Sequence, residues 1–265
     1  MPGLRIALLC LTLLSACKED KPRVVFKDAH GRELTTKDLQ GVTGSVRWEV
    51  VGAGSVSPAA KELHEQGRAA GIAGQHERAL ELFAQAQKLA PDWPYPVYDA
   101  AYEHLLKGEA TEALALYERV AALAPRGFFT SISELGCLRR EVAGELPGGF
   151  CIGFTATEFI DDRSKKRHAL EEIVAKFPHF APAWMALAGL LTDDAQRAAA
   201  IEQGLASTPD PETAGTLRIN RALLQNVRGD REAAIQSLGK LALDPESTLA
   251  TEMMAKATLA SLLGK

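Results

Sequence analysis

The chain has 265 residues, 46% hydrophobic, 24% charged and only 6% aromatic, with a formal net charge of −4. That length suits one globular domain or an elongated array. The mildly acidic balance lacks the basic footprint of a nucleic-acid binder, and frequent Ala and Leu beside few aromatics favour helices packed through small residues over a β-rich core.

The N-terminus reads MPGLRIALLCLTLLSACKED, with one early cation, Arg5, and an apolar run from Ile6 to Leu14. A run this short cannot cross roughly 30 Å of hydrocarbon as a helix. It fits the hydrophobic region of a secretory signal. Leu14-Ser15-Ala16-Cys17, directly after it, resembles the lipobox of bacterial lipoproteins. The resemblance implies cleavage between Ala16 and Cys17 and acylation of Cys17. Lys18 rather than Asp follows, which by analogy implies the outer membrane, facing the periplasm. The alternative is an ordinary cleaved signal with an incidental Cys. Removing 1–16 takes away only Arg5 among the charges, so the net moves by one, from −4 to −5. Such a body has no electrostatic reason to lie on anionic lipid, and the lipid is read as a tether.

Cys10 leaves with the signal, which leaves Cys137 and Cys151 as the pair in the body. In an oxidising compartment two such thiols fit a disulfide, worth about 3 kcal/mol for a loop of that length; the alternative is two buried free thiols. Neither has the spacing of a redox or zinc motif.

Residues 17–23 form the anchor and a short charged tether. In 24–57, VVFKDAHGREL reads as strand, turn at His30-Gly31 and a second extended piece. GSVRWEVVG alternates, with Val46, Trp48 and Val50 opposite Arg47 and Glu49. This is a small β-rich cap, too little to fold alone.

From 58 onward the period is helical. ALELFAQAQKLAP (79–91) returns as ALALYERVAALAP (113–125), 34 residues later. Their partners are AAKELHEQGRAAGIA and YPVYDAAYEHLLKG, with Gly74 and Gly108 at the stops. Gly67 and Ala101 stand at the close approach of paired helices, Ala79 and Ala113 open the second helices, Phe83 and Tyr117 are aromatic knobs, and Pro91 and Pro125 end each unit. This pattern resembles tetratricopeptide repeats. The departures are Leu63 and Val97 in place of Trp, Ala101 in place of Gly and Val120 in place of Ala.

Further on, 126–146 is read as an insertion with an extra helix. GGFCIGFTATEFI pairs with SKKRHALEEIVAKFP, for which Ser164 is the N-cap. Trp184, Leu187 and Ala188 match the family again. A pair with its turn at Gly229-Asp230 and a closing helix from 247 complete the array. The resemblance thus implies an all-α, right-handed superhelical array of antiparallel helix pairs over 58–265.

Nothing assembles into a catalytic or metal-ligating pattern. The six His residues show no ligand spacing and read as surface or turn residues. Asp161-Asp162 and Asp193-Asp194 suit helix N-termini. No catalytic residue, metal or cofactor is implied, and the chain is read as a non-enzyme.

The first helices of such repeats line a concave face. Its inward positions are Lys61, His64 and Arg68 on the first helix and Tyr95, Tyr98 and Tyr102 on the third. Tyr combines apolar area with a hydrogen-bonding tip, the profile of an interface anchor, and Arg68 suits a carboxylate. The three Tyr fit either a groove or the core between repeats. The expected function is a lipid-anchored periplasmic adaptor that binds a protein or peptide partner. The alternatives are an envelope enzyme or its regulatory subunit acting on cell-wall glycan, and a lipoprotein that binds carbohydrate or a small ligand.

Overall fold

A computed structural model describes residues 56–264, and the backbone of three strands before them. The signal, Cys17 and the tether through residue 22 lie outside the described residues. The strands β1 (Arg23–Lys27), β2 (Glu33–Leu34) and β3 (Arg47–Val51) pair antiparallel in the order β2-β1-β3. Phe26 faces Leu34 on one side and Trp48 on the other in register.

All regular structure from residue 56 on is helical. The first two hairpins are α1 (Pro58–Ile72) with α2 (His76–Leu89) and α3 (Pro94–Leu106) with α4 (Ala110–Leu123). Next come α5 (Ser131–Val142), the short α6 (Phe150–Ala156) and a 3-10 turn (Thr157–Phe159). Then follow α7 (Arg163–Lys176), α8 (Ala181–Leu190), α9 (Asp194–Ala206), α10 (Pro211–Val227), α11 (Arg231–Leu243) and α12 (Leu249–Leu263).

Local chemistry sets the boundaries. The Ser57 side chain accepts from Ala60 N–H, and Pro58 sits where a helix needs no N–H donor. Asp193, Asp210, Asp230 and Thr248 cap α9, α10, α11 and α12 in the same manner. For α7 the cap is Asp162, not Ser164. Asp162 has the extended backbone of a cap, and its carboxylate accepts from Ser164 N–H and Lys165 N–H.

The hairpin turns repeat one device. Gly74 and Gly108 have φ of +72° and +76°, where a side chain is strained. Around them the N–H of Gln75 bonds Ala70 carbonyl, and that of Glu109 bonds His104 carbonyl, both at 2.9 Å. The same closure recurs after α5, from Glu145 N–H to Arg140 carbonyl, and after α10, from Asp230 N–H to Gln225 carbonyl. The 126–146 segment, expected to be an insertion, therefore ends as the first helix of a hairpin ends, and α5 packs directly on α4.

Phe83 and Tyr117 occupy equivalent slots, 1% and 0% exposed. A Cβ at Gly67 would stand 2.5 Å from the Phe83 ring. Gly67→Ala should therefore destabilise the protein by about 1–3 kcal/mol through overpacking, read as a lower urea midpoint. An unchanged midpoint would mean that α1 and α2 are not in close contact.

The array also closes on itself. The main core runs from Ala101 on α3 to Leu224 on α10, and a second core joins α10, α11 and α12. Helix α10 touches α5 and α8 as well as its neighbours. Leu249 N–H donates to Arg126 carbonyl at 2.8 Å. The Arg126 guanidinium donates to Ser247 carbonyl at 3.1 Å and pairs with Glu252. The loop after the second hairpin thus meets the start of the closing helix. Helices α3, α5 and α10 all contribute to the main core.

Candidate functional site

Helix α3 carries the aromatic stripe. Tyr95, Tyr98 and Tyr102 are all half-buried, and two of them are met by the chain itself. Phe128 and Phe129 lie in the loop before α5. Tyr95 contacts their rings edge-on at 4.7 and 5.4 Å between centroids. Tyr98 meets Phe128 at 5.6 Å, Phe129 at 5.2 Å and Tyr117 at 5.6 Å. Tyr98 Oη and Thr130 Oγ1 share a hydrogen bond of 2.9 Å. Phe129 has φ of +50°, a costly conformation for an aromatic residue. The surrounding contacts at Arg126 and Ser131 hold that loop. The tyrosines are thus partly core and partly face.

His64 is not a surface or turn residue. It is 5% exposed, and its Nε2 lies 2.7 Å from Asp99 Oδ2. Its ring packs against Trp93, Tyr95 and Phe83. The i, i+4 spacing from Ala60 puts it on the buried side of α1, so it joins the first hairpin to the second and offers no open surface. Arg68 is exposed and its Nε lies 3.8 Å from the same Asp99 carboxylate. The carboxylate it was expected to take is internal. His76 likewise meets Glu103 at 2.6 Å across the two hairpins.

Cys137 on α5 and Cys151 on α6 are bonded, with S–S of 2.05 Å. The Glu141 carboxylate accepts from Gly149 N–H and Cys151 N–H, each at 2.8 Å, which fixes the start of α6 beside the bridge. Reduction should lower stability by about 3 kcal/mol. Thermal unfolding with and without reductant reads this, and equal midpoints would remove the bridge from the account.

Two acids that the pattern reading passed over lie beside the tyrosines. Glu134, in the first turn of α5, accepts from Thr155 Oγ1 at 3.0 Å. Burial pushes its carboxyl up to about 7, and the charge of Glu158 adds to this against the Thr155 hydrogen bond. Glu212, in the first turn of α10, accepts from Ser133 N–H at 3.2 Å and Ser133 Oγ at 3.1 Å. Burial pushes it up to about 8, helped by Asp210 and Glu134 and opposed by the Ser133 bonds. Burial also raises the Tyr98 and Tyr102 phenols, and the charge of Glu134 raises both further. Among the described residues no cation pairs with Glu134 or Glu212. The available signal was an acid in the first turn of each helix, at the fourth place in α5 and the second in α10.

No family model matches the chain, and no curated protein matches it in sequence. Solved structures with similar helix arrays include a thermophilic TPR protein of Thermus thermophilus, at 20% identity, covering 78% of this chain and 100% of that one, with a TM-score of 0.34. Another is a tetratricopeptide repeat protein of Parabacteroides merdae, at 14% identity over 76% of this chain and 84% of that one, with a TM-score of 0.36. A third is MamA, from residue 41 to its end, of Desulfovibrio magneticus, at 16% identity over 70% and 94%, with a TM-score of 0.34. The fold assignment rests instead on the hairpins and their repeated turns. From residue 56 on this is an all-α helical-repeat array resembling tetratricopeptide repeat proteins.

Among the described residues no group of three His, Cys, Asp or Glu is placed to hold a metal ion. No described helix is long and apolar enough to cross a membrane.

Proposed function

We propose that this chain is a lipid-anchored adaptor of the bacterial envelope. Residues 1–16 serve as the signal, acylated Cys17 as the anchor, the following charged residues as a tether and 24–57 as a cap on the repeats. The body projects into the periplasm from the outer membrane and holds a protein or peptide partner. The observation that carries the reading is the α3 face. Tyr102 stays half-exposed with the charges of Glu134 and Glu158 acting on it, and among the described residues no cation pairs with Glu134. A stacked-hairpin array presents such a face as a ready interface, with phenolic anchors that lose little entropy on binding.

A photo-crosslinking residue at Tyr102 in cells tests the partner. A discrete protein adduct is expected; adducts confined to cell-wall material overturn the adaptor reading. Cys17→Ser tests the anchor, since the variant should leave membranes in a carbonate wash. Retention would refute lipid anchoring through that residue.

A further inference from the structure

We infer that the N-terminal sheet docks on the outward side of α12, so that the last helix of the array carries the cap and the first does not. This refines the cap role given above to 24–57, and the docking rests on no other part of the adaptor reading.

The sheet has one apolar face. Residues paired across antiparallel strands share a face, and neighbours along a strand alternate. The register therefore places Val24, Phe26, Leu34, Trp48 and Val50 on one face. Arg23, Lys27, Glu33, Arg47 and Glu49 fall on the other, with Val25 and Val51. Antiparallel sheets with such an alternation bury the apolar face and leave the other to water. Three strands this short need that cover to persist.

Helix α12 has the matching need. Its inward side brings Ala255 and Leu262, with Met254 and Leu259, into the core it shares with α10 and α11. Leu249, Met253, Ala257, Ala260 and Leu263 follow one another at helical spacing on the opposite side. Among the described residues none of these joins that core, and Ala260 and Leu263 are exposed. The end helix of a stacked array ordinarily turns a polar side outward. Helix α1 does so, with Lys61, Glu62, Glu65 and Arg68 exposed. Helix α12 instead is apolar on two opposite sides, the pattern of a helix covered on both.

The contact on the page selects the cover, because β1 lies against α12. Two complementary apolar faces thus meet, one on each end of the chain. The consequence is positional. With acylated Cys17 as the anchor, the tether to Arg23 spans at most about 20 Å. Docking then holds the α12 end of the array toward the membrane.

The test is amide exchange of the full-length protein in detergent, with and without Phe26→Asp and Trp48→Asp together. Charge on the apolar face should release the sheet, so exchange across 253–263 should quicken at least ten-fold while that across 60–72 is unchanged. The readout holds whether the variant sheet undocks or loses its pairing, because either uncovers α12. The reverse variant, Met253→Asp with Ala257→Asp, should quicken exchange across 23–27 and 47–51. Quickening across 60–72 in place of 253–263 moves the cap to the first hairpin and overturns the docking, as does no change in either. Exchange across 253–263 that slows with rising protein concentration assigns the stripe to a second copy and also overturns it. Such a failure beside a discrete Tyr102 adduct in cells removes the docking and leaves the adaptor. Docking without any adduct does the reverse.

Discussion

Tyr117→Ala should cost about 3–5 kcal/mol, while Tyr117→Phe should leave stability unchanged or raise it by about 1 kcal/mol. Both follow from one placement. Tyr117 is 0% exposed, wedged between the two helices of its hairpin and the next first helix. Truncation to alanine loses the ring's burial and leaves a cavity in the largest core. Phenylalanine keeps the ring and removes an oxygen without a partner. Tyr98→Phe is the contrast, because its hydroxyl is bonded to Thr130 and its loss should cost about 1 kcal/mol. Urea unfolding of the three variants measures this. A large loss in Tyr117→Phe would mean that the hydroxyl has a partner.

Stability should fall as pH rises from about 5 to about 8, because Glu134 and Glu212 hold protons in the folded chain that they release on unfolding. Their ordinary value is 4.5; folded, they stand at about 7 and about 8. Below the ordinary value both states are protonated and the groups contribute nothing. Between the ordinary and folded values the folded state binds more protons, so the stability of the fold drops with pH by up to ~1.4 kcal/mol per unit for each group. Above about 8 both states are ionised and the loss is complete. Both side chains are half-buried, so solvent reduces the whole effect to about 1–3 kcal/mol. Glu212→Gln keeps an oxygen acceptor for Ser133 and should flatten the upper part of the profile; Glu134→Gln should flatten the lower part. A wild-type profile that rises over this window would contradict the burial of both acids.

The repeated helices were legible because their signal is periodic and local. Gly74, Gly108, Phe83 and Tyr117 do in three dimensions what their spacing of 34 implies. Asp162 displaced Ser164 as a cap because both types cap well and only backbone geometry separates them. α5 was read as an insertion because its loop carries Phe128 and Phe129 where a standard turn would stand, yet its ending at Gly144 has φ of +76° like its counterparts. His64 was placed on the wrong side because a single helix face gives no depth. The meeting of α5 with α10 was not legible at all. Glu134 and Glu212 are 78 positions apart, and they come near one another because α5 and α10 are in contact, with Ser133 bonded to Glu212. No local pattern encodes that contact.

Closure joins the loop after the second hairpin to the closing helix, so it is the point to measure. Gly127 sits against Thr248, where a Cβ at Gly127 would be 3.6 Å from Thr248 Cβ. An NOE spectrum of the full chain should show Gly127 Hα to the Thr248 methyl, with slow exchange of the Leu249 amide. Absence of that cross-peak together with fast Leu249 exchange would describe an open array in which the loop at Arg126 and the closing helix do not meet.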